Sequence, residues 1–166
     1  AEGSVVININ NDNHKTVTLT NVDAKVSAAV NAVNNDVAVG SVKASEGTVK
    51  VTDGSIINGA EDPDKENVTA GKVALEAGKT GEETADIGAK DKPIVIRPVP
   101  LMGGDDAAGA AADGNVYLKL LKPAGADPEA ASMAKVDIDA GGEAVLNTEG
   151  STIITDASDI KAAGDI

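Results

Sequence analysis

The sequence predicts an all-β chain wound as a right-handed parallel β-helix (a β-solenoid) of about six or seven coils. It also predicts one larger loop and short-helix excursion around residues 98–134. Three observations carry this expectation. The apolar content is aliphatic: 42% of the 166 residues are hydrophobic, yet there is no Phe, no Trp and one Tyr, Tyr117. Apolar residues alternate at period two in short runs separated by Gly, Asn and Asp. A short unit, Gly-x-(Val/Ala)-x-(Val/Leu), recurs along the chain.

A globular core normally fills its wide spaces with aromatic side chains. A narrow core of stacked Val, Ile, Leu and Ala does not need them, and a solenoid has such a core. The β-branched run Ser4-Val5-Val6-Ile7-Asn8-Ile9 is too apolar for a solvated, disordered segment.

The elements follow in order. Val5, Ile7 and Ile9 alternate, as do Val17 and Leu19. In residues 25–34, Val26, Val30 and Val33 fit helical spacing or an irregular strand; the Asn cluster and β-branched content favour strand. Val37 and Val39 precede Gly40, and Val42 and Ala44 continue beyond it. The repeated unit then appears as Gly47-Thr48-Val49-Lys50-Val51, Gly71-Lys72-Val73-Ala74-Leu75, Gly114-Asn115-Val116-Tyr117-Leu118 and Gly142-Glu143-Ala144-Val145-Leu146. Its glycines lie 24, 43 and 28 residues apart, near one solenoid turn except for the long interval. Glycine before each strand suits a sharp corner with positive φ. Ile94-Val95-Ile96, between Pro93 and Pro98, reads as a strand either buried or at an edge. Val136 with Ile138, and Ile153-Ile154, supply further strands.

Two stretches break the pattern. Residues 60–66 form a small charged excursion. Within 98–134, residues 103–109 read as a flexible Gly-Asp-Ala loop. Residues 127–133 read as a short helix, with Asp127 as N-cap and Pro128 at the first helical position. Coils about 4.8 Å apart would make a rod roughly 30 Å long. A two-sheet sandwich is the alternative fold, but Asp53-Gly54, Asn58-Gly59 and Asp113-Gly114 are too irregularly spaced for a hairpin series.

Composition bounds the partners. Net charge is −13, from 27 acids against 14 bases. That opposes binding to nucleic-acid backbones and anionic membranes. No stretch reaches the length of a membrane-spanning helix, so no membrane insertion is expected. The absence of cysteine points to bacterial export or to the cytosol. Ala1-Glu2-Gly3 has neither a basic start nor an apolar run behind it, so no export leader is expected there, and residues 163–166 read as the start of another repeat. The chain is therefore expected to be an internal piece of a longer protein.

The run Ala70-Gly71-Lys72-Val73-Ala74-Leu75-Glu76-Ala77-Gly78 and the later Ala85-Asp86-Ile87-Gly88-Ala89-Lys90-Asp91-Lys92-Pro93-Ile94-Val95-Ile96 resemble coils of filamentous-haemagglutinin-type adhesins. Residues 140–146 and Ala163-Gly164-Asp165-Ile166 are similar to other coils of that family. The chain also resembles the large filamentous leukotoxins and adhesins of anaerobic bacteria. The resemblance covers residues 36–96 and 134–166 and is carried by repeat-level motifs. It implies a right-handed β-helix, export through an outer-membrane transporter, and adhesion to a host cell-surface protein or glycan, or to other bacteria. It implies no catalytic residues, and it places the chain in the secreted or surface-exposed shaft.

Candidate sites read as follows. His14, the only histidine, lies in a polar turn, and without Cys or placed carboxylates it makes no zinc site. Asp62, Asp64, Glu66 and the pair Asp105-Asp106 are the densest carboxylates, but the Gly-Gly-x-Gly-x-Asp calcium repeat is missing. No metal and no cofactor is expected. A carbohydrate-active β-helix enzyme is the second reading and would need a groove of paired carboxylates. Asp137 and Asp139 are candidates, but their alternation with Val136 and Ile138 turns them to solvent. A passive spacer without a partner is the third reading. Thr16, Thr18 and Thr20 form one row of a kind that an ice-binding array would need on every coil. Asn67-Val68-Thr69 is a glycosylation sequon by composition only. The expected contact surface comprises Asp105, Asp106, Tyr117, Asp127 and Glu129 on the 98–134 excursion.

Overall fold

A computed structural model describes residues 2–10, 14–78, 84–99, 107–123, 132–149, 152–154 and 159–166. All regular structure among them is β, and every pairing between its strands is parallel. The alternation that predicted strands is the one that builds them. In β1 (Val5–Asn10), β4 (Ser27–Val33), β7 (Glu46–Thr52) and β10 (Lys72–Gly78), every second side chain turns inward. With β12 (Ala107–Ala112), β14 (Ser132–Ala140), β16 (Thr152–Ile154) and β17 (Asp159–Ala162) they form the first face.

The second face is β2 (Val17–Leu19), β5 (Val37–Val39) and β8 (Ile56–Asn58). The third is β3 (Val22–Asp23), β6 (Val42–Lys43), β9 (Val68–Ala70), β11 (Ile94–Pro98), β13 (Val116–Leu120) and β15 (Ala144–Thr148). Above β8 the second face continues as single bridges from Ile56 to Ile87 and from Ile87 to Val116. Val116 opens β13, whose Leu118 and Leu120 pair with Ile94 and Ile96 of the third face. In the upper turns one strand therefore serves where two served below.

The core is a set of vertical columns. On the first face Ile7, Val30, Val49, Leu75, Ala110, Ile138 and Ile160 stack in register. On the second, Val17, Val37, Ile56, Ile87, Val116 and Ala144 do the same. Val30, Val37, Val49, Ile56, Ile87 and Val116 are fully buried. Each coil alone would leave its apolar face wet; stacking covers it on both sides. Val95 is buried as well as Ile94 and Ile96, so this strand is covered on both of its sides.

The β-solenoid fold is as predicted, and residues 27–33 form a strand as expected. The first-face column takes six steps from Ile7 to Ile160, in keeping with the predicted number of coils. Turn length varies, the register advancing by as few as 19 residues and as many as 35 per turn. Three details differ. The 43-residue interval is a change of face, since Gly71 directly precedes β10 on the first face whereas Gly114 precedes β13. Even the first two copies are offset, because Gly47 pairs with Val73 and not with Gly71. The 98–134 stretch is not one excursion. Residues 107–112 and 116–120 are regular coil strands, and Ser132 and Met133, expected in a helix, belong to β14. Lastly, among the described glycines only Gly88 has positive φ, so the repeated glycines are there for another reason.

Candidate functional site

One polar residue per turn stands at the corner between the first and second faces, immediately before the inward aliphatic. These are Asp36, Ser55, Asp86, Asn115 and Glu143. The side chain of one accepts the backbone N–H of the next. Ser55 N–H donates to Asp36 Oδ1 at 2.8 Å, and Asp86 N–H to Ser55 Oγ at 3.1 Å. Asn115 N–H donates to Asp86 Oδ1 at 2.6 Å, and Glu143 N–H to Asn115 Oδ1 at 2.8 Å. The glycines of the last two copies now have their reason. A Cβ on Gly114 would strike Asp86 Oδ1, and one on Gly142 would strike Asn115 Oδ1.

A second polar device pins the 60–66 excursion. Asn58 occupies an inward position in the column of Leu19 and Val39, and it and Asn67 are buried. The Asn67 amide donates to Val39 O at 2.7 Å and to Asn58 Oδ1 at 2.8 Å, while its Oδ1 accepts Val95 N–H at 2.8 Å. Asn58 donates to Pro93 O at 2.7 Å and accepts Ala60 N–H at 3.0 Å. Both amides thus take the place of backbone pairing where the chain leaves the coil. The sequon asparagine Asn67 is wholly inside the protein.

The pinned excursion lies along the outer side of the third face, to which two ion pairs join it. Arg97 donates to Glu66 Oε1 at 3.0 Å and to Lys122 O, and Lys119 meets Asp64 at 2.6 Å. The Tyr117 hydroxyl donates to Glu143 Oε2 at 2.8 Å, and Lys90 approaches the other oxygen at 3.2 Å. The Glu143 bond raises the Tyr117 pKa, and the same bond, with Lys90, lowers that of Glu143. Glu66 is also lowered, first by its own backbone N–H and then by Arg97. Tyr117, expected as a contact residue, is therefore half-buried and engaged within the chain.

The first face carries an open trough on its outer side. Ala74, Gly109 and Ala111 form the floor. Lys50 and Glu76 stand on one side, paired at 2.6 Å. Lys135, Asp137, Asp139, Asp159 and Lys161 stand on the other, with Lys135 on Asp137 at 2.8 Å. Lys135 lowers the Asp137 pKa, and Asp159 raises that of Lys161. Asp137 and Asp139 do face outward as expected. They lie among lysines rather than as an isolated carboxylate pair.

The structure does not gather the expected contact residues. Asp105, Asp106, Asp127 and Glu129 lie outside the described residues. Asp62, Asp64 and Glu66 are on the excursion, the last two in ion pairs. Among the described residues no three His, Cys, Asp or Glu side chains converge as metal ligands. His14 is exposed, at φ 44°. Thr18 is followed in its column by Ala38 and Ile57, so the threonine row stops at one coil. The corner ladder and the Asn58–Asn67 pair escaped the sequence reading. The ladder's signal is a polar residue directly before an inward aliphatic, once per turn.

No family model, no curated protein and no solved structure matches the chain.

Proposed function

We propose that this chain is a stiff, non-catalytic shaft segment of an exported bacterial surface adhesin, which carries and displays attachment surfaces to host cells or other bacteria. The observation that carries this reading is the unbroken in-register stack from Ile7 to Ile160, braced at its corner by the ladder from Asp36 to Glu143. A column of this kind resists bending because each turn is hydrogen-bonded to the next along whole faces. The likeness of the Asp86-Ile87 and Asp165-Ile166 coils to filamentous-haemagglutinin-type adhesins supports the same reading. Export would run through an outer-membrane transporter acting on the parent protein.

The trough does not favour a polysaccharide-cleaving enzyme. A glycosidase needs a carboxylic acid held protonated beside a second carboxylate. Asp137, in the trough, is instead held as an anion by Lys135.

Beads coated with the chain, presented to epithelial cells, matrix proteins and bacteria, test the adhesive part. Attachment above that of beads bearing an unrelated β-protein supports it. Equal attachment on every surface reduces the segment to a spacer.

A further inference from the structure

The 60–66 excursion uses only part of its charge against the third face, through Glu66 on Arg97 and Asp64 on Lys119. Its remaining residues border a cleft of about 490 Å³ on the side of the stack, at the corner between the second and third faces. Small-molecule sites span about 300–1,000 Å³. Thr18, Thr20 and Ser41 line the cleft from the coil, and Glu61, Asp62 and Lys65 line it from the excursion. Gly40 and Gly59 lie between them. A Cβ on Gly40 would come within 2.9 Å of the Leu19 and Thr20 carbonyl oxygens, and one on Gly59 within 2.8 Å of the Ala38 carbonyl carbon. Close stacking of the turns therefore demands both glycines, and it leaves the cleft a floor of bare backbone.

The excursion side is fixed before any ligand arrives. The buried Asn58–Asn67 pair anchors its base. Asp62 closes its tip, accepting Asp64 N–H on Oδ1 at 3.0 Å and Lys65 N–H on its carbonyl at 3.1 Å. Among the described residues neither Glu61 nor Lys65 has an ion-pair partner. A site held in this way loses little freedom when it is filled.

We propose that this cleft binds an uncharged, hydroxyl-rich sugar. Three hydroxyls that donate and accept, two carboxylates that accept and one ammonium that donates suit a ring of adjacent hydroxyl groups. Two carboxylates against one lysine oppose a sialylated, sulfated or phosphorylated ligand. No three acids converge among the described residues, so the cleft lacks the oxygen cage of a calcium site. Gly40 and Gly59 already donate their N–H groups to Leu19 O and Val39 O, so an extended peptide finds no free strand edge on the floor. The proposal names a partner class for the attachment surface, and to that extent it rests on the adhesive reading.

The test is titration of the isotope-labelled chain with the methyl glycosides of glucose, galactose, mannose and N-acetylglucosamine, read as amide shifts by NMR. At least one sugar is expected to move the amides of Thr18, Thr20, Ser41 and Glu61 to saturation, leaving those of Ala74 and Gly109 in the trough unmoved. Glu61→Ala and Lys65→Ala each remove an exposed charged partner and are expected to weaken that binding about ten-fold or more. The same spectra show that each variant keeps the fold. Cleft amides that none of the four sugars moves overturn the proposal. So does tighter binding of N-acetylneuraminic acid, or a response of these amides to calcium instead. Bead attachment separates this outcome from that of the adhesive reading. A chain that binds a sugar in the cleft while its beads attach nowhere keeps the site and sinks the adhesive role; beads that attach while no sugar moves the cleft do the reverse.

Discussion

Asp86 and Asn115 are hydrogen-bonded across one turn twice over: the Asn115 backbone N–H reaches Asp86 Oδ1 at 2.6 Å and its side-chain amide reaches the same oxygen at 3.2 Å. Asn115 passes the contact on to Glu143 at 2.8 Å. Each member orients the corner from which the next inward aliphatic departs, so the ladder sets the register of the second face.

Asp86→Ala removes both bonds and leaves the half-buried Asn115 N–H without its acceptor. A hydrogen bond to a charged group contributes about 1.5–3 kcal/mol. The variant is expected to lose stability in that range in urea denaturation, while Asp86→Asn, which keeps an oxygen acceptor, loses less.

Asn67 is fully buried and makes three side-chain hydrogen bonds to the coil and to Asn58. Asn67→Leu strands Val95 N–H, an unsatisfied buried donor that costs about 1–3 kcal/mol, while Val39 O keeps its bond from Gly59 N–H. The excursion then loses its anchor. Limited trypsin digestion is expected to cut after Lys65 in the variant much faster than in the wild type.

Ala108, Ala110 and Ala112 give β12 the smallest inward row, while β13 in the same turn brings Leu118 and Leu120 into the core. Small residues on one face leave room for large ones on the other. Ala110→Leu overfills that turn between Leu75 and Ile138 and is expected to cost about 1–3 kcal/mol, read as a lowered urea midpoint.

Stability should depend on pH at both extremes. Glu66, Asp137 and Glu143 have lowered pKa values, so what they contribute is present above the ordinary carboxylate range and lost as pH falls below about 4.5. Tyr117 and Lys161 have raised values; their contribution is present below their ordinary range and lost as pH rises past about 10. Solvent screens these pairs, so both limbs are shallow. Thermal melting across pH checks this, and Tyr117→Phe should weaken the alkaline limb.

The alternation of Val5, Ile7 and Ile9 or of Val49 and Val51 is a property of neighbouring residues, and it was legible in the sequence. So was the outward turn of Asp137 and Asp139. The course of residues 107–112 was not, because Ala-Ala-Gly-Ala-Ala-Ala places small residues both inside and outside and shows no alternation. That strand is set by its neighbours β10 and β14, which pair with it on both edges. The face change between Gly71 and Gly114 was hidden for a similar reason: the same short motif suits either face. Asp86-Ile87 and Asp165-Ile166 are the same dipeptide, yet Asp36-Val37, Ser55-Ile56, Asn115-Val116 and Glu143-Ala144 share their corner with different polar residues. What the corner requires is an acceptor atom, and several residue types supply one.

Oxidative cross-linking of a Lys50→Cys, Glu76→Cys double variant tests the stacked coil most directly, because the two positions pair in register across one turn. An intramolecular disulfide that forms readily in the monomer is the result the stack predicts. A pair that stays reduced under oxidising conditions would contradict the stack, and the shaft reading with it.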